Sequence, residues 1–173
     1  MHRAVCLIVL VLLPSAAGKA AAQRHQLASP TKTPNAAITV AVGGKVAGKK
    51  IDGSGMGSCS HAADTSISGV SASLWKVEYS GTSSVKQLNL TLWRPKDEGP
   101  DQLMLGVETK SGSYRIETGN PGDGKGEGSV TILPSGPGGR LEIRGKEAGG
   151  KPVQITIDCS GFAEAQGQED AKP

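Results

Sequence analysis

The stretch Lys151-Pro-Val-Gln-Ile-Thr-Ile-Asp-Cys159 decides the fold class. Read as an extended strand, it puts Val153, Ile155, Ile157 and Cys159 on one face and Gln154, Thr156 and Asp158 on the other. A cysteine therefore enters the same layer as three branched aliphatics. Cys59 is its only partner beyond the N-terminal leader, because Cys6 lies inside an apolar run that is lost on export. Two cysteines in an oxidising compartment predict a Cys59–Cys159 disulfide. For a closed loop of about 100 residues the chain-entropy gain is at most about 4–5 kcal/mol.

The export expectation comes from the first residues. Met1-His-Arg3 is a short positive segment, residues 4–13 are continuously apolar, and Pro14 is followed by small residues up to Ala22. This is the layout of a signal peptide over 1–22, too short for a permanent membrane helix. Cleavage after Ala20-Ala21-Ala22 or after Ser15-Ala16-Ala17 fits the small-residue rule. Residues 23–36 are polar, contain Pro30 and Pro34, and read as a disordered tether. No second long apolar run follows, so no membrane span is expected in the mature chain.

Composition narrows the function classes. Removing Arg3 and Lys19 with the leader leaves seventeen Lys and Arg against sixteen acids, a charge of +1. Interspersed signs near neutrality carry no electrostatic footprint for nucleic acid. Aromatics are 3% of the chain, so Val, Ile and Leu must build the core, while 25 glycines and 10 prolines punctuate short strands.

Along the chain, Ile38, Val40 and Val42 alternate into Gly43-Gly44-Lys45, where a three-residue hairpin loop is expected to set Val42 opposite Val46. The run Gly53-Ser-Gly-Met-Gly-Ser-Cys-Ser-His61 reads as a flexible approach to Cys59, and it lacks the ending of a phosphate loop. Ile67 and Val70 read as a short link. Trp75, Val77 and Tyr79 form one face of a strand; Leu88, Leu90 and Leu92 form the next, and Leu103, Leu105 and Val107 another. Tyr114 and Ile116, Val130 and Ile132, and Leu141 and Ile143 follow, the last paired so that Ile143 faces Val153 and Leu141 faces Ile155. Phe162 is expected to pack just past the disulfide. About nine short strands with one apolar face each predict an antiparallel β-sandwich over 37–162, with a small closed barrel as the alternative and a polar tail over 163–173.

Few residues carry chemistry. A Ser/His/acid triad would need His61, with Ser58, Ser60 and Asp64 near it in sequence. Cys59-x-His61 is at most half a metal site, and a disulfide would consume its thiolate. Asn120, Asp123 and Glu127 could offer oxygens to Ca²⁺, but their spacing fits no EF-hand and turn chemistry explains them. Trp93 falls on the polar side of its strand, which makes Trp93-Arg94 the candidate binding pair, against a placement under a loop at the strand end. Asn89-Leu-Thr91 matches a glycosylation pattern in mid-strand.

Ser113-Tyr-Arg-Ile116, the glycine-rich turns and Ile155-Thr-Ile157-Asp-Cys159 with an earlier lone cysteine resemble the mycobacterial nineteen-kilodalton lipoprotein antigen family and related secreted bacterial β-proteins. The resemblance implies a β-rich, disulfide-closed protein of the cell envelope with no assigned catalytic residues. That family is anchored through a lipidated cysteine, and this leader has none in position, so anchoring does not carry over. The expectation is a secreted or periplasmic module, not an enzyme and without a metal or cofactor, that binds an unidentified protein or envelope ligand. A hydrolase using His61, or a protease-inhibitor-like loop module, is the alternative.

Overall fold

The computed structural model describes residues 37–119 and 125–165. The leader, the tether, Asn120, Asp123 and the end of the tail lie outside them. The described chain is all-β: β1 (Ile38–Val46), β2 (Lys49–Ile67), β3 (Val70–Ser80), β4 (Val85–Pro95), β5 (Gln102–Thr109), β6 (Gly112–Glu117), β7 (Gly126–Ser135), β8 (Gly138–Glu147), β9 (Pro152–Cys159) and a short β10 (Ala163–Glu164).

The strands do not divide into the two sheets of a sandwich. They form one sheet in the order β6-β5-β4-β3-β2-β1-β9-β8-β7, with β10 added to β2. This is the barrel alternative, nearly closed. The reason lies in β1, which pairs antiparallel with both β2 and β9 and so joins the two ends of the chain edge to edge. Every step along this order is antiparallel. The outermost strands β6 and β7 therefore run the same way, since an odd number of strands cannot alternate direction around a closed ring.

Apart from one backbone bond, the β6/β7 seam is closed by side chains. Glu117 N–H donates to the Lys125 carbonyl at 3.1 Å. Beyond that bond, Ile116 lies over two glycines: a Cβ on Gly128 would sit 3.2 Å from Ile116 Cγ2, and one on Gly145 would sit 3.0 Å from Ile116 Cδ1. Inside, branched aliphatics from every long strand fill the barrel, among them Val40, Leu88, Leu105, Leu141 and Ile157.

Several local expectations are corrected. The first hairpin turns at Ala47-Gly48, not at Gly43-Gly44-Lys45. Both turn residues have positive φ (49° and 77°), the pair a tight two-residue turn needs, and Gly48 meets it without a Cβ. The glycine run is strand: Gly53, Gly55 and Gly57 face inward along β2, and a Cβ on Gly53 would lie 2.5 Å from Tyr79 Oη. Tyr79 on β3 thus fills the volume that Gly53 and Gly55 leave, as an aromatic does across a glycine-bearing strand, and Val40 of β1 packs at Gly57. Ile67 and Val70 flank a second tight turn at Ser68-Gly69. The last hairpin pairs Ile143 with Ile155 and Leu141 with Ile157, two residues from the expected register. A slip of two keeps the same face inward, so the pattern alone could not choose. Ala163 and Glu164, expected in the tail, run parallel to β2 beyond the start of β1, beside Ser60 and His61.

Candidate functional site

One end of the barrel gathers most of the residues singled out by the sequence. Cys59 on β2 and Cys159 on β9 are disulfide-bonded, with Cα atoms 6.2 Å apart. They belong to the two strands that flank β1, so the bridge spans its start. Two residues further along β2, His61 faces the same side and pairs across the ladder with Trp75 of β3. Their rings stack at 4.4 Å and 13°, and Phe162 meets His61 edge-on at 6.4 Å. Phe162 packs against the core as expected.

Arg94 of β4 enters the same end. Its guanidinium carbon stands 5.6 Å from the Trp75 ring centroid. Nε donates to Asp101 Oδ1 at 3.0 Å and Nη2 to Oδ2 at 2.8 Å, a two-pronged pairing. Nη2 also donates to the Val130 carbonyl of β7 at 3.1 Å. The hydrogen bond to Asp101 raises the Arg94 pKa above its ordinary value, against a smaller opposing effect of burial, so the group is a fixed cation. Arg94 thereby ties the β4–β5 turn to the edge of β7.

Chemically, this end is a stack of planar groups laid over a disulfide. His61 Nδ1 lies 3.0 Å from the Leu74 carbonyl, which can only accept, so Nδ1 carries a hydrogen. A triad histidine would direct that hydrogen to a carboxylate. Ser58 Oγ donates to Glu78, and Asp64 pairs with Lys96. The contacts of Ser58 and Asp64 thus run away from His61. No group of three potential metal ligands occurs among the described residues.

The candidate pair Trp93-Arg94 is split. Arg94 points into the barrel end, whereas Trp93 points outward and is only 7% exposed. It packs with Ala72, Leu74 and Ala165 in a small second cluster on the outer wall. An indole covered in this way is not an exposed anchor, which corrects that expectation. The alternation correctly placed Trp93 opposite the main core, but it could not show that Leu74 and the C-terminal Ala165 cover that face. Trp75 and Asp101, the partners of His61 and Arg94, were not identified beforehand; only the β2/β3 register brings Trp75 to His61. Glu127 pairs with Lys146 at 3.4 Å. Asn89 is exposed on the outer wall between Glu78 and Gly106.

No family model, curated protein or solved structure matches the chain.

Proposed function

We propose that this chain is a non-catalytic, extracytoplasmic module that engages a protein or envelope ligand through the outside of its barrel. The observation that carries the reading is the filled interior. The inward positions are occupied by the chain's own aliphatic side chains, so a partner is met by the wall or the ends and not by a central cavity. The buried disulfide and the lack of a membrane-spanning helix among the described residues fit a location outside the cytoplasm. The leader and the resemblance to envelope lipoproteins point the same way.

The test is labelling with a fluorophosphonate probe, alongside intact mass under non-reducing conditions. The expected protein begins after residue 22, carries one disulfide and takes up no probe. Labelling that disappears in His61→Ala, while the melting transition is retained, would overturn the non-catalytic reading in favour of a hydrolase.

A further inference from the structure

The end of the barrel opposite the disulfide is built differently. Its turns are stitched into one surface: Ala47 N–H donates to the Pro152 carbonyl at 2.8 Å, Lys110 N–H to the Ser84 carbonyl at 3.1 Å, and Ser84 Oγ to Asp52 Oδ1 at 2.7 Å. Five exposed lysines stand here: Lys45, Lys49 and Lys50 on the first hairpin, Lys110 after β5 and Lys151 before β9. None of them forms an ion pair among the described residues. Of the acids at this end, Glu108 and Glu127 pair with Lys86 and Lys146, while Asp52 and Glu147 keep their charge and accept hydrogen bonds from Ser84 and the Lys151 backbone N–H, so the five lysines outnumber the uncompensated acids. Lys45 and Lys50 are direct cross-strand neighbours, a like-charge placement that costs stability.

At the disulfide end the bases are matched: Arg94 with Asp101, Lys96 with Asp64 and Arg140 with Asp158, while Asp97, Glu98 and Glu164 remain in excess. Among the described residues the charge is thus separated along the barrel axis. The cations on these turns are lysines, compact hydrated charges without the planar fork that reads a single anion, and of them Lys151 also stands 5.8 Å from the Tyr114 ring centroid. They are spread over three turns, not aligned in a row, which suits a flat, densely charged surface. The exposed large apolar residues Met56, Val70, Met104 and Leu133 all lie outside these turns, so contact there is electrostatic, without insertion.

We infer that this lysine end is an adsorption surface for an anionic lipid bilayer. The acidic opposite end would be repelled, so the barrel docks in one orientation. The inference deepens the proposed non-catalytic role and rests on its extracytoplasmic location, but the two fail in different experiments: probe labelling leaves the vesicle result untouched.

The test is co-sedimentation of the disulfide-bonded chain beginning at Gln23 with phosphatidylcholine vesicles, with or without a one-third share of phosphatidylglycerol. Binding is expected only to the anionic vesicles, and molar salt should release it. The double variant Lys49→Glu, Lys50→Glu should partition at least about twenty-fold more weakly with unchanged melting. Lys76→Glu, on the barrel wall, should change partitioning by no more than about two- to three-fold. Equal binding to both vesicle types, equal loss in the two variants, or binding to heparin without binding to vesicles would each overturn the inference.

Discussion

The two sides of β1 and the two sides of the β6/β7 seam close the same barrel by different means. Around β1 the ladder is bonded on both edges, and a disulfide joins the strands that flank it. At the seam two strands run the same way, and closure depends on Ile116 lying over Gly128 and Gly145, with Arg94 reaching across to the Val130 carbonyl. The first closure is made of backbone pairing and one covalent bridge, so it withstands the loss of any single side chain other than Cys59 or Cys159. The second is made of side chains, so single substitutions should open it locally.

The largest effect should come from the strong side. Replacing Cys59 and Cys159 together by Ala should lower unfolding free energy by up to about 4–5 kcal/mol, read from urea denaturation. A loss below about 1 kcal/mol would show that backbone pairing around β1 suffices without the bridge. Next, Ile116→Ala should cost about 3 kcal/mol and raise hydrogen exchange at Glu117, whose amide donates across the seam to the Lys125 carbonyl. Exchange there no faster than in β1 would remove the contrast between the two closures. The smallest effect belongs to Arg94→Gln. Its side chain is 40% exposed, so solvent screening holds the expected loss to about 1 kcal/mol. Faster exchange at Ser129 and Thr131, whose amides face β8 by alternation from Val130, would be the sign that β7 is held less firmly.

The sequence showed one side of this contrast far better than the other. Leu88, Leu90 and Leu92, and Val153, Ile155 and Ile157, alternate cleanly because each strand buries one face against a core of like residues. The disulfide was legible because only two cysteines follow Cys6. Sandwich against barrel was not, because the choice rests on β1 pairing with β9, a contact between opposite ends of the chain. The glycine run in β2 was hidden for a related reason. Its apolar face is supplied by Tyr79 from the next strand, so the pattern that marks a strand is carried by a different segment. Of the candidate site, His61 and Arg94 were found and Trp75 was not. Trp93 was placed on the correct face, but whether it was exposed or covered could not be read, because its cover comes from Leu74 and from Ala165 at the chain's far end.

The position of β1 also sets the order of events in making the protein. The first strand to be synthesised lies beside the last long one, so β1 keeps an open edge until the ribosome has reached Cys159. Such distant pairing is slow, and it leaves an adhesive intermediate that can stick to other chains. A nascent chain of this kind cannot complete its barrel until translation is nearly over.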